Sequence, residues 1–304
     1  MAATSFQDVP VWLITGSSQG LGKALLDAIL ASGQRAVATL RRPEVLEVYR
    51  NTYPATQLLI TQLDVLDKNR ITEVFNETKE HFGRVDVVVN NAGYGIEGEI
   101  EVTPDSEARK LFDVVFWGLV NVSKEAIVFM RDVNPPGLGG RILNISSITG
   151  YSANPTLGFY SAAKFAVEGF TESLNKEMLP EWNIKALIIE PGGFNTEWVK
   201  SSLVIFPSTP HYAAPGTPSS VFRSLLHRNP IGDPEKAALA MLQIVKESDP
   251  PLRLQLGSEC VVIVRDKAKK TIAENEKWKE LGHSTNFDWF EKEGVQERYN
   301  DINN

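Results

Sequence analysis

The chain has 304 residues, 42% of them hydrophobic and 23% charged, with a formal net charge of −7. This is the balance of an ordinary water-soluble globular protein, and the acidic excess argues against nucleic acid or an anionic membrane surface as the main partner. A single cysteine, Cys260, excludes an intramolecular disulfide and a cysteine-built metal site, and is read as a half-buried free thiol. His81, His211, His227 and His283 show no ligand spacing, so no metal is expected. Residues 1–10 lack a basic start followed by an apolar stretch, and no apolar run approaches the ~18 residues of a membrane span. An intracellular, cytoplasmic protein is expected.

Val11, Trp12, Leu13 and Ile14 read as a buried strand, and Thr15-Gly16-Ser17-Ser18-Gln19-Gly20-Leu21-Gly22 as the turn into a helix over 21–31. Glycines at 16, 20 and 22 allow a tight turn, close backbone approach to phosphate and close packing of helix on strand. The helix start offers free N–H groups to a pyrophosphate, which makes Gly16, Ser18, Gln19, Gly20, Leu21 and Gly22 candidate cofactor contacts. The alternative is a glycine-rich turn without a ligand.

Further strands are predicted at 36–39, 57–61, 85–90, 141–146 and 185–189, with helices at 67–82, 105–130 and 159–178. Strand–helix alternation with nearly all-apolar strands predicts an α/β, doubly wound, parallel, Rossmann-like sheet with ligands at the carboxyl ends of its strands. After Pro191 the rhythm breaks. Residues 197–232 are rich in proline, apolar and aromatic residues and read as an inserted substrate lid. A helix near 234–247, a strand near 252–256 and a charged helix from 264 to about 281 follow, and the last ~15–20 residues are expected to be poorly ordered. The organisation expected is one domain over 1–304 with a C-terminal helical extension over 264–304.

Asp64, beside Val65 at the end of the third strand, is placed to accept a hydrogen bond from an adenine amine, and Asn91, Ala92 and Gly93 put small residues where a ribose would lie. Tyr160 and Lys164 stand one helical turn apart. A free phenol, with a pKa near 10, exchanges its proton poorly at neutral pH, and the lysine cation is expected to lower it.

In this order the TGxxxGxG loop, the acidic residue, the Asn-Asn-Ala-Gly turn and the Tyr-x-x-x-Lys pair resemble the short-chain dehydrogenase/reductase family, over residues 8–200. The resemblance implies hydride transfer from nicotinamide to a carbonyl carbon. Tyr160 would supply the proton, Ser147, thirteen residues upstream, would hydrogen-bond the same oxygen, and Lys164 would also hold the nicotinamide ribose. In family terms Pro191, Gly192, the Phe194 backbone and Thr196 hold the carboxamide. Members that prefer NAD carry an acid at the end of the second strand, where this chain has Leu40 followed by Arg41 and Arg42. NADP(H) is therefore expected over NAD(H), with Arg41 or Arg42 on the 2′-phosphate.

Tyr94, Ile96, Ile148, Tyr151 and Phe159, with Trp198, Val204, Phe206, Tyr212 and Phe222 from the lid region, suit a bulky hydrophobic ketone or secondary alcohol. The resemblance is greatest to members acting on steroids, retinoids or fungal-type secondary metabolites. One departure stands out: Val115 replaces the asparagine that supports a water-linked relay to the lysine in most members, and Asn121 lies about 240° further around a regular helix. A cofactor-binding sensor or scaffold with little turnover is therefore a rival reading, as is another reaction in the same cleft, such as that of an epimerase, dehydratase or cyclase. Family members often pair as homo-oligomers through the fourth and fifth helices; Phe116, Trp117, Phe129 and Met130 are read either at such an interface or in the core.

Overall fold

The computed structural model describes residues 9–287. These fall into two compact units divided after Val261. The first holds a seven-stranded sheet, in which β1 (Val11–Thr15) lies between β2 (Arg35–Leu40) and β4 (Val87–Asn90). Outside β2 is β3 (Leu58–Gln62), and outside β4 come β6 (Gly140–Ile145), β7 (Ile184–Pro191) and β9 (Arg253–Leu256). Every pairing is parallel, with Trp12 opposite both Ala36 and Val87.

Because neighbouring side chains of a strand point to opposite faces, β1 feeds two cores. Trp12 and Ile14 pack under α1 (Gly20–Ala31) and α10 (Pro234–Ile244), while Val11 and Leu13 pack under α3 (Lys68–Phe82) and α5 (Leu119–Asp132). Each fully buried Leu or Ile contributes about 1.5–3 kcal/mol. Trp12 keeps its indole N–H satisfied by donating to Gln34 Oε1 at 2.8 Å. Between β1 and β2 the chain needs only α1; α2 (Glu47–Thr52) covers the way to β3. The α3 helix has a regular start and stop: Asp67 accepts from the Arg70 N–H, and Gly83 ends it with φ of 75°.

Three features depart from the sequence-based expectation. The helix expected over 105–130 is two helices, α4 (Asp105–Phe112) and α5, joined by a π turn at Asp113–Gly118. The wider turn carries Val115 into the core, and a side chain at Gly118 would fall on Val65. Asn121 is therefore not offset from Val115 by the about 240° of a regular helix. Secondly, β5 (Gly95–Glu97) pairs in parallel with β8 (Leu203–Ile205), which ties the 198–226 segment to the loop after β4. That segment also holds α7 (Trp198–Ser201), α8 (Pro210–Ala213) and α9 (Pro218–Leu226). Thirdly, the C-terminal helix α11 (Ser258–His283) begins six residues before the expected 264, and its part from Val262 belongs to the second unit. The expectation for the last ~15–20 residues falls almost wholly outside the described residues.

Phe129 and Met130 are core residues packed under the sheet, whereas Trp117 is half exposed. Cys260 is wholly buried, not half-buried, and donates its thiol hydrogen to the Glu190 carbonyl at 3.1 Å. Among the described residues no helix is long and apolar enough to cross a membrane, and no group of three or more His, Cys, Asp or Glu side chains is arranged to hold a metal ion.

Candidate active site

The candidate cofactor and catalytic residues lie at the carboxyl ends of the strands, in the loops leaving them, or on the helices α1 and α6 (Gly158–Glu177). The glycine turn follows β1. Gly16 and Gly20 have φ of 67° and 59°, which glycine alone adopts freely. A side chain at Gly22 would fall on Asn91 Nδ2 and on the Gly16 carbonyl. The same Asn91 amide donates to the Thr15 and Gly16 carbonyls at 3.0 and 2.9 Å, and the Thr15 hydroxyl accepts from the Asn91 and Ala92 N–H groups, each at 3.0 Å. The glycine turn and the Asn91-Ala92-Gly93 turn are thus one rigid piece. Sequence reasoning passed over Thr15, whose buried hydroxyl does this tying, and Ser17, whose buried Oγ ties the glycine turn to β2 by donating to the Thr39 carbonyl at 3.1 Å. A hydroxyl on each side of the first glycine was the available signal.

Gln19 precedes α1 without capping it, and no acidic side chain stands in the first turn, so its leading N–H groups have no side-chain partner. Gln19 instead reaches Ser202 Oγ at 2.6 Å. Thr196 lies against Gly20, and a Cβ there would sit 3.8 Å from the Thr196 Cβ. The loop after β7 is fixed by the Gly192 N–H donating to the Leu256 carbonyl at 2.9 Å and by the Gly193 N–H donating to Glu259 Oε1 at 2.8 Å. Phe194 bridges to Gly232, and Pro191 ends β7 in the core. On the other flank Leu40 is buried while Arg41 and Arg42 are exposed; among the described residues neither guanidinium makes an ion pair. Ser18 and Leu21 are partly buried, Asp64 is exposed and accepts from the Leu66 N–H at 3.0 Å, and Val65 is buried against the π turn.

Ser147 leaves β6 and Tyr160 and Lys164 come from α6 (Gly158–Glu177), so strand and helix bring the three together. All three are buried, and the Ser147 and Tyr160 hydroxyls are hydrogen-bonded. The Lys164 ammonium lies 5.7 Å from the Tyr160 ring centroid and donates to the Ile145 carbonyl at 2.7 Å. The expected effect on the phenol is corrected here. Burial pushes Tyr160 up to about 12, opposed by the Ser147 hydrogen bond rather than by the lysine. Burial also brings Lys164 down to about 8, opposed by the nearby Glu168 carboxylate. The reason is shielding from water, to which Trp198 contributes by packing against Tyr160 in a tilted arrangement, the ring centroids 5.7 Å apart.

Above these residues lies a third apolar cluster. Ile96, Leu111, Val115 and Leu157 pack with Tyr160, and Tyr94, Phe159, Trp198, Phe206 and Phe222 line its edge. Ile148, Tyr151 and Tyr212 stand outside that cluster, and Val204 is exposed, so the apolar wall is narrower than the sequence suggested. Gly95 makes the slot for Trp198, since a side chain there would fall on the indole.

The short chain dehydrogenase family matches residues 10–203, the span that contains the glycine turn, Ser147, Tyr160 and Lys164. The chain belongs to that family. An uncharacterized oxidoreductase of Schizosaccharomyces pombe is 41% identical over 254 residues, covering 83% of this chain and 84% of that protein. A 3-ketodihydrosphingosine reductase of Bacteroides thetaiotaomicron is 33% identical over 270 residues, covering 86% and 93%. Among solved structures, a short-chain dehydrogenase from Streptomyces avermitilis superposes with a TM-score of 0.83 at 34% identity, covering 92% of this chain and 99% of its own. This short-chain dehydrogenase is accordingly an oxidoreductase of that type.

Proposed function

We propose that this short-chain dehydrogenase is an NADPH-dependent carbonyl reductase, or in reverse an alcohol dehydrogenase, for a bulky hydrophobic ketone or secondary alcohol. One observation carries the reading: the Ser147–Tyr160–Lys164 group lies buried between a glycine turn open to an anion and an apolar, aromatic-edged cluster. The residues present fit a dinucleotide. The rigid double turn, the uncapped α1 start, Gly93 and Thr196 would hold it, and the exposed Arg41 and Arg42 favour a 2′-phosphate where an acid would exclude it. When bound, the nicotinamide supplies the hydride.

The protein supplies the proton and the placement. At neutral pH a phenol held near 12 carries its proton and is loaded as the acid of a reduction, at Tyr160 Oη. The Ser147 hydroxyl, already hydrogen-bonded to that phenol, orients the carbonyl oxygen to receive it. Lys164, as an ammonium, stabilises negative charge left on the phenolate and offers donors to the ribose hydroxyls. The 198–226 segment is the lid. Trp198 excludes water from Tyr160, and the apolar edge selects a lipophilic substrate. The relative that reduces a long-chain keto compound, by its name, agrees with that choice. A cytoplasmic location completes the reading.

The test is a panel of hydrophobic ketones, 3-keto long-chain bases and steroid ketones among them, with NADPH and NADH in parallel. Turnover faster with NADPH is expected. Tight NADPH binding without turnover on any ketone would overturn the reductase reading in favour of a sensor.

A further inference from the structure

Two buried carboxyl groups with no role in the proposed reaction lie beneath Lys164: Glu168, one turn further along α6, and Glu190, near the end of β7. Glu168 is satisfied at both oxygens. Its Oε1 accepts from the Ser146 hydroxyl at 2.8 Å and its Oε2 from Arg253 Nε at 2.9 Å. Arg253 also donates to Glu172 at 2.9 Å. Glu190, wholly buried, is satisfied at one oxygen only. Its Oε2 accepts from Gln255 Nε2 at 2.5 Å, while its Oε1 finds no donor among the described residues, Arg253 Nε being 3.8 Å away. The Glu190 carboxyl is within hydrogen-bonding reach of Glu168, and both acids approach the same Arg253 Nε.

Two carboxylates in contact in a dry interior resist ionising together, so one of them keeps its proton well above the ordinary carboxylate range. The group able to donate between them is a proton on one of the acids. Glu168 already accepts from Ser146 and Arg253, so it is the natural anion, and Glu190, lacking a second donor, is the natural acid. Burial and the Glu168 charge push Glu190 up to about 7.

The cluster lies beside Lys164, whose charge the Glu168 carboxylate supports. A side chain at Gly150 would fall on Ser146 Oγ, 3.0 Å from Glu168 Oε1 and 3.1 Å from Lys164 Cβ, so glycine there lets the three pack around one backbone position. The titratable and charged groups facing the pair are Lys164 and Glu172 from α6, Arg253 from β9, and Glu259 and Cys260 from the start of α11. On the π turn, Val115 lies in the apolar cluster with Tyr160.

We propose that Glu190 carries a proton which it donates to Glu168, and that Glu168, kept as an anion, holds Lys164 in its ammonium form. Both are positioning residues for the lysine. Charge support for the lysine thus comes from α6, β7 and β9 rather than from a side chain on the π turn. The step moves no electrons; one proton is shared between two carboxyl oxygens.

The claim about Lys164 rests on the proposed reaction, whereas the claim about the carboxyl pair does not, and two measurements separate them. Infrared difference spectra of the intact protein from about pH 6 to about pH 8 should show the carbonyl stretch of a protonated carboxylic acid that disappears as pH rises, and Glu190→Gln should lack it. Absence of the band in the wild-type protein at about pH 6, or its survival in Glu190→Gln, would overturn the pair whatever the substrate. Glu168→Gln keeps an acceptor for Ser146 and removes the charge, so Lys164 should lose its proton at lower pH. The alkaline limb of activity should then move about one pH unit to the acid side, about a fivefold loss near pH 8. An unmoved limb in a variant with wild-type melting temperature and cofactor affinity would overturn the role in holding the lysine.

Discussion

The sheet and the 198–226 segment are held by different forces. In the sheet, every side chain of β1 and β4 is buried, and the two cores on its faces are almost wholly apolar. In the segment, α7 and α8 bury no residue and α9 buries only Ser219. Beside the β5–β8 pairing and the edge contacts of Trp198, Phe206 and Phe222, charge does much of the holding. Arg223 of α9 donates to both Glu99 oxygens, at 3.2 and 3.1 Å, and approaches Glu97 at 3.4 Å. His227 Nε2 lies 2.8 Å from the second Glu97 oxygen, and Ser208 donates to Glu99 at 2.7 Å. Both carboxylates are buried on the β5 side. An apolar frame yields only to loss of packing, whereas an ionic clasp yields to one substitution or to acid. If the 198–226 segment is the proposed lid, it should therefore come free while the frame that carries Ser147, Tyr160 and Lys164 stays folded.

The largest effect is expected where the two regions meet. Tyr160→Phe leaves packing under Trp198 intact and removes the proton, so ketone reduction should fall by about 10²–10⁴-fold while NADPH binding, measured by fluorescence titration, stays near wild type. Retained activity would mean that another group supplies the proton.

Arg223→Met strands two buried carboxylates and should cost the segment about 3–5 kcal/mol. Hydrogen exchange should then lose protection over 203–226 and keep it in β1 and β4. Loss of protection in both regions together would break the distinction between them.

Acid should do the same more gently. Burial works to raise the Glu99 carboxyl, but the hydrogen bonds from Arg223 and Ser208 outweigh it and hold it below the usual carboxylate range. Its stabilisation is therefore complete above an ordinary carboxylate pKa of about 4.3 and is lost as pH falls through the lower folded value. Exchange in 203–226 should rise with acid before exchange in the sheet does.

The smallest effect concerns the cofactor side alone. Arg41→Ala should weaken NADPH about tenfold and NADH hardly at all, the size of one charge-assisted phosphate contact.

The frame was legible because its strands are continuous apolar runs and its helices have regular periodicity; β1 contains the expected Val11, Trp12, Leu13 and Ile14 and adds Thr15, and the order of elements follows the predicted alternation. What escaped had weak local signals. Each of β5 and β8 is three residues long, and β5 contains a glycine and a glutamate, so neither reads as a strand until the other is beside it. The π turn at Val115 leaves no mark in hydrophobic spacing. Within the site, residue types and spacing identified Ser147, Tyr160 and Lys164 as a group to test, but not their ionisation. That depends on Trp198 packing against the phenol and on acids at 168 and 190, which lie 22 residues apart in the chain.

Cys260 gives this architecture a clock. It is the chain's one thiol, wholly sealed at the β7–β9 corner, and burial, with help from Glu190 and Glu259, pushes it up to about 12. At neutral pH it holds almost no thiolate, so a disulfide reagent reacts there only after the corner opens. The labelling rate of the unmodified protein therefore times the opening of the wall behind Glu190 at one chemically unique atom. Shedding the 198–226 segment should leave that rate alone, whereas loosening the sheet edge should raise it.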